Sequence, residues 1–391
     1  MTYPAPGRYL LKPYMMESPA LAQLAKQVID SGGRAASPLI VGWLLTSRCQ
    51  LNCRHCWVKR NQPEADAAER EKIAWKLAGA NICRLSLSGG EVTLLPDLAK
   101  IVQIVKSTGT PICIYTNAIA PLGSGKAETW LDHWDLATDY VQVSLDGGNA
   151  REFEGQRGKE NFALFIKGVN LLHHHGVRTM AHYVATPYNG GDVYSAAKLA
   201  LVLGCSAFSA ELFYPQGKAA AINYSEAQQT ARVFNASLEQ MLRDSRLLGG
   251  PMELGIAVPI QVPLPAFLQQ YKPQGEVPLK IPIKNGAIFC FVTPGGNVVP
   301  ASHLEFTEAF CCGSLLEQDL DEIWRKGPGF ARLPRFRDLS ATPCADCPDF
   351  WFCRGGHEQR ANDFYGTFHA PDPHCHRIRL SPHAKDNYNE R

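Results

Sequence analysis

Three cysteines stand close together at Cys49, Cys53 and Cys56, with the spacing C-x3-C-x2-C, just after the apolar run Leu39-Ile40-Val41-Gly42-Trp43-Leu44-Leu45. Three thiolates on one short loop can hold three irons of a [4Fe–4S] cube and leave the fourth iron open to an outside ligand. That arrangement suits a reactive cluster more than a structural one. Zinc is the rival, but a structural zinc takes a fourth protein ligand nearby. His55 lies between two of the thiols, where its ring would have to turn back on its own loop. A disulfide would leave one thiol over, and nothing marks the chain as secreted.

A second group lies in the last quarter, where seven of the 13 cysteines fall, from Cys290 to Cys375. Cys344-x2-Cys347-x5-Cys353, with Cys375 after Asp372-Pro373-His374, offers four thiolates. Four thiolates suit a complete [4Fe–4S] cluster or a zinc ion. Cys83, Cys113 and Cys205 stand singly in apolar surroundings and read as core.

The elements that must position these groups alternate. Strands are expected at Leu39–Leu45, Arg84–Leu87, Ile112–Tyr115, Tyr140–Ser144, Thr179–Val184 and Ala207–Phe213. Helical patterns lie between and after them at Glu64–Leu77, Asp97–Ser107, Ala127–Trp134, Asn161–His174, Val193–Leu203 and Ser225–Arg243. Six strand–helix units imply a parallel sheet, here an α/β partial (β/α)6 TIM-like barrel over residues 38–255. Chemistry in such barrels sits at the C-terminal ends of the strands. Residues 1–37 read as a leader with an amphipathic helix at Ser18–Ile29. Residues 256–285 hold six prolines and read as a linker. Residues 286–391 form a small cysteine-rich C-terminal domain with a helix at Asp319–Arg325.

Polar residues fall at the strand ends. Gly89-Gly90-Glu91 follows the second strand, Asn117 the third, Ser144 and Asp146 the fourth, and Glu211 and Tyr214 the sixth. Glycines let the backbone come close to a ligand. Ser144 and Asp146, two apart, are expected on one face. The His173-His174-His175 run precedes Gly176 and reads as a helix end, where imidazoles favour the dipole.

On these residues the chain resembles the radical S-adenosylmethionine (SAM) enzymes, and its tail resembles their SPASM auxiliary-cluster domain, down to Cys353-Arg354-Gly355-Gly356. The resemblance implies that Cys49, Cys53 and Cys56 hold a cluster whose open iron binds SAM. It places Gly89, Gly90 and Glu91 at the SAM amino group, Asn117 beside SAM, Ser144 and Asp146 at the ribose, and Glu211 and Tyr214 at SAM or substrate. Arg157-Gly158 with Asn161-Phe162 resembles the peptide-modifying branch. Ala118 stands where the family has glycine. Cys344, Cys347, Cys353 and Cys375 would hold at least one auxiliary [4Fe–4S] cluster. Two further ligand positions depart from the family: Ala301 and His357 stand where cysteines are usual. Cys290, Cys311 and Cys312, with His303 and His357, are the remaining candidates for a second auxiliary site, and packing is the competing reading for them.

The implied activity is reductive cleavage of SAM to a 5′-deoxyadenosyl radical, which takes hydrogen from a peptide or protein substrate. The alternatives are modification of a tetrapyrrole or other small molecule, and an iron–sulfur electron carrier without catalysis. An electron donor such as flavodoxin or ferredoxin is the implied partner. No acid–base residue stands out. The net charge of +2 among 391 residues carries no field for nucleic acid or an anionic membrane, and no run is long enough to span a bilayer. The N-terminus lacks a signal-peptide pattern, so the cytoplasm is expected.

Overall fold

Strand β1 (Ile40–Thr46) is buried along its whole length, as a strand covered on both faces must be. It lies inside a ten-stranded sheet. The computed structural model describes residues 34–119, 129–248, 251–256, 286–304, 308–334, 337–348 and 355–375, with Val28, Phe350, Arg377 and Ile378. The expected leader helix and most of the proline-rich linker lie outside the described residues.

Beside β1 come β2 (Arg84–Gly89), β3 (Ile112–Thr116), β4 (Tyr140–Ser144), β5 (Thr179–Ala185), β6 (Ala207–Leu212) and β7 (Glu253–Ile256), each parallel to the last. The crossovers carry α1 (Ala67–Gly79), α2 (Leu98–Lys106), α3 (Ala150–Arg157), α4 (Asn161–His174), α5 (Val193–Val202), α6 (Tyr224–Arg243) and α7 (Ser245–Leu248). Asp66 and Glu69 close the start of α1 as a reciprocal capping box. The six expected strands are present to within two residues. The helix expected at Ala127–Trp134 is a 3-10 turn over Thr129–His133. α3 was not expected, because its sequence AREFEGQR has only one large apolar side chain, Phe153, to mark a face.

The strands sort their side chains by face. Val41, Trp43, Leu85, Leu87, Val141 and Val143 join Ile73, Leu77 and Phe165 of the helices in one core. Residues between them point the other way. Cys113, Tyr140, Met180 and Ala207 form a separate apolar plug on that inner face. Alternation puts Ser86, Gln142, Ser144, His182, Ser209 and Glu211 on the same face.

The first strand of the C-terminal part joins the barrel sheet. β8 (Phe289–Val292) pairs parallel to β1, with Ile40 opposite Phe289 and Trp43 opposite Val292. β9 (Asn297–Val299) and β10 (Gly313–Ser314) extend the sheet antiparallel. α8 (Leu320–Lys326) and α9 (Glu358–Tyr365) follow. Arg337 ties the tail's turns together by donating to the carbonyls of Gly356 (2.7 Å), Phe368 (2.9 Å), Gly355 (3.1 Å) and Ala370.

Candidate functional site

The cysteine loop leaves β1 through a register shift between Leu44 and Thr46 and is fastened on every side. Glu64 accepts from the Ser47 amide (2.6 Å), the Ser47 hydroxyl (2.6 Å) and the Thr46 hydroxyl (2.9 Å). Arg60 donates to the carbonyls of Cys49 (2.7 Å) and Leu51. The Lys218 amide donates to the Cys56 carbonyl (3.0 Å). Gly217 sits beside that carbonyl at φ +56, where an added Cβ would lie 2.5 Å from it. Glu64 and Arg60 were missed from sequence, because they act on the loop's backbone, which no motif advertises.

The turn after β2 is pressed against the same loop. The Gly90 amide donates to the Thr46 carbonyl (2.6 Å), and the Glu91 amide to the Arg48 carbonyl (2.8 Å). The two glycines therefore admit neighbouring backbone as well as any ligand. Glu91 is 1 % exposed. Its Oε1 accepts from the hydroxyls of Thr93 (2.7 Å) and Thr116 (2.7 Å), and its Oε2 from the Asn117 amide (2.7 Å). Burial pushes its carboxyl up, against the hydrogen bonds from Asn117, Thr116 and Thr93. Asn117 also reaches the loop: its Nδ2 lies 3.8 Å from Cys49 Sγ. Ala118 adopts φ +56, the left-handed conformation that glycine takes without strain.

Asp146, just beyond β4, is held by protein partners. Its carboxylate is completely buried and occupied on both oxygens. Oδ2 accepts from Arg157 Nε (2.6 Å) and faces His55 Nε2 (3.3 Å), while Oδ1 accepts from the Val184 amide (2.9 Å). Burial works against its charge, but Arg157 and then His55 outweigh that and hold the carboxyl below its ordinary range. Asp146 thus ties the cysteine loop to α3 and β5. Arg157, opposite, also approaches Cys53 Sγ at 4.0 Å. His55, weighed from sequence as a metal ligand, points inward at Asp146.

The donor types suit an iron–sulfur cluster with a cationic ligand, but among the described residues no three His, Cys, Asp or Glu side chains are arranged to hold a metal ion. Cys49 and Cys56 are partly exposed and Cys53 is buried. Burial pushes the Cys49 thiol up to about 11, so it ionises only against added positive charge, which iron supplies. Glu91, a buried carboxylate within one residue's reach of the loop, calls for a cation of its own.

In the tail, Cys344 is buried, and Cys347 and Cys375 are partly so; Cys353 lies outside the described residues. Gly355 and Gly356 take φ +83 and +79 against Leu339 and Asp372. Of the two positions that depart from the family, Ala301 is buried at 1 % exposure. His357 turns to the barrel, its Nε2 2.8 Å from Tyr214 Oη. Cys290 and Cys312 are packed into the main core, and burial pushes Cys312 up to about 12. Both side chains contribute to core packing there. Cys290→Ala and Cys312→Ala are each expected to cost about 1 kcal/mol of stability with unchanged iron content, whereas Cys344→Ala lowers the iron bound. Metal analysis of the purified variants checks this.

The Radical SAM superfamily model matches residues 43–200, and the SPASM iron–sulfur cluster-binding domain model matches residues 285–348. Mycofactocin maturase MftC of Mycobacterium ulcerans is 26 % identical over 348 residues, 87 % of this chain and 88 % of that protein. PqqA peptide cyclase of Methylorubrum extorquens is 27 % identical over 366 residues, 89 % of this chain and 87 % of that one. Among solved structures, Streptococcus suis SuiB bound to the precursor peptide SuiA superposes with a TM-score of 0.66 at 14 % identity, over 90 % of this chain and 78 % of that one. That likeness shows the shared fold. Membership of this family implies a [4Fe–4S] cluster with SAM, and auxiliary iron–sulfur clusters in the tail. Residues 43–200 of the chain belong to the radical SAM superfamily, and residues 285–348 form the SPASM domain that one branch of it carries.

Proposed function

We propose that this enzyme is a maturase that removes hydrogen from a peptide or protein substrate. When bound, the cluster and SAM together supply a 5′-deoxyadenosyl radical for that removal. Cys49, Cys53 and Cys56 hold the cluster. Glu91 receives the SAM ammonium on Oε2, which the Asn117 amide leaves with a second lone pair. Ser144, partly exposed at the end of β4, offers its hydroxyl beside SAM. Cys344, Cys347, Cys353 and Cys375 hold one auxiliary cluster. A flavodoxin- or ferredoxin-type donor supplies the electron. The observation that carries the reading is Asn117, which joins the buried Glu91 carboxylate to Cys49 through its amide and its side chain. The peptide substrate is supported by the relatives PqqA peptide cyclase and MftC.

Two measurements test this. Anaerobic protein given dithionite and SAM is expected to release 5′-deoxyadenosine. Glu91→Gln, which removes the charge but keeps the shape, is expected to weaken SAM binding by about ten- to a hundredfold. No 5′-deoxyadenosine from the iron-loaded protein would overturn the enzyme assignment. A tetrapyrrole consumed in place of any short peptide encoded beside the gene would overturn the substrate.

A further inference from the structure

We propose that Ser209, His182 and Glu211 form a proton-accepting relay on the inner face of the barrel, in which the Ser209 hydroxyl takes a proton from the substrate. It rests on the function proposed above only in taking the mouth of the barrel as the place where substrate reacts. Ser209 and Glu211 are two apart on β6 and share a face, while Ala210 and Leu212 join the outer core. His182 on β5 stands level with Ser209 in the sheet register.

The hydrogen bonds run in one direction. His182 Nε2 lies 3.1 Å from Glu211 Oε1, and His182 Nδ1 lies 2.7 Å from Ser209 Oγ. A carboxylate only accepts, so Nε2 carries the proton of the neutral imidazole. That leaves a lone pair on Nδ1, and the Ser209 O–H is the donor to it. A hydroxyl with a base on one side, and a carboxylate orienting that base, is the arrangement that activates a serine. Arg360 also interacts with Glu211, a positive neighbour that suits a carboxylate acting as acceptor.

The position suits a reacting group. Ser144 stands level with His182 on its other side, so Ser209 lies about 10 Å, two strand spacings, from the hydroxyl placed above beside SAM. Gly255 of β7 stands opposite Ser209 and puts no side chain against it. Ser209 is buried but not sealed, at 8 % exposure. In the step, a proton passes from a side-chain hydroxyl or thiol of the peptide to Ser209 Oγ as the Ser209 proton passes to His182 Nδ1. The products are the peptide's oxygen or sulfur anion and an imidazolium whose charge Glu211 matches. No electron moves and no co-reactant is needed.

The test is acetylation of the anaerobic, iron-loaded enzyme by p-nitrophenyl acetate, which requires no peptide. A hydroxyl that can give its proton to His182 attacks the acetyl carbonyl, forms an ester and expels p-nitrophenolate. Mass spectrometry is expected to find the acetyl group on Ser209 and not on Ser206, whose hydroxyl donates to the Thr179 carbonyl at 2.8 Å and has no base there. His182→Ala is expected to slow acetylation of Ser209 by about a hundredfold or more, and added imidazole to restore part of the rate. Glu211→Gln, which keeps the shape and removes the charge, is expected to slow it at least about tenfold. A role in packing alone would give neither the label nor the rescue. Iron content matching the wild type certifies each variant as folded. No acetyl group on Ser209 of the wild type, or equal acetylation in His182→Ala, overturns the relay. Release of 5′-deoxyadenosine, read separately, shows whether the enzyme assignment stands whatever the acetylation gives.

Discussion

Replacing Arg157 with leucine is expected to lower stability by about 3–5 kcal/mol, the range for breaking a buried ion pair by removing one partner. Asp146 has no access to water, so the lost 2.6 Å bond from Arg157 Nε has no solvent substitute. The Val184 amide and His55 remain, but they do not carry a fixed charge. The variant should also answer to pH with a definite sign. In the wild type, the Asp146 carboxyl is held below its ordinary value. Its stabilisation is therefore present above the unfolded carboxyl range and lost as pH falls through the lower folded value. Without Arg157, burial is opposed only by the weaker His55, Val184 and His182 contributions and the protonated form gains, so the deficit of the variant should shrink as pH falls toward about 4. Asp146→Asn combined with Arg157→Leu removes both charges and should recover much of the loss. Urea denaturation of the wild type, the two single variants and the double variant measures the interaction. Single variants within about 0.5 kcal/mol of the wild type would mean that the pair does not hold the loop in place.

Much of the barrel was legible because its signals are periodic and local. β1, β3 and β4 read as short apolar runs between turn residues, and α4 and α6 as long amphipathic patterns; all lie within two residues of their expected places. The cysteine spacings and Gly89-Gly90-Glu91 were legible because short-range chemistry imposes fixed spacing. What could not be read is long-range. β8 joins β1 across some 250 residues of chain, and nothing in FCFV says which strand it will meet. Asp146 was singled out from the sequence without its protein neighbours, because Arg157 and His55 approach it from α3 and from the cysteine loop. His182 went unnoticed because a lone histidine in a strand is ordinary. Only the register with Ser209 and the reach to Glu211 give it a role.

Gly90→Ala is expected to cost about 4 kcal/mol or more, in the tail of single-residue effects, and to strip iron from the cysteine loop although no cysteine is replaced. A Cβ at Gly90 would lie 2.1 Å from the Arg48 carbonyl oxygen and 2.7 Å from that of Ser47. Both are backbone atoms, so no side chain can swing aside, and the segment that carries Cys49 must move instead. Such a shift also breaks the bonds from the Gly90 amide to Thr46 and from the Glu91 amide to Arg48. These are the bonds that hold Glu91 beside the loop, so SAM binding should fall together with iron content. Gly79→Ala is the control: nothing lies within 4 Å of its added Cβ, and in a helix alanine is favoured over glycine by about 0.5–1 kcal/mol. Iron analysis and denaturation midpoints of the two variants give the comparison. Full iron in Gly90→Ala would show that the turn after β2 is free to move away from the cluster loop, and the close packing that joins Glu91 to the thiols would lose its functional meaning.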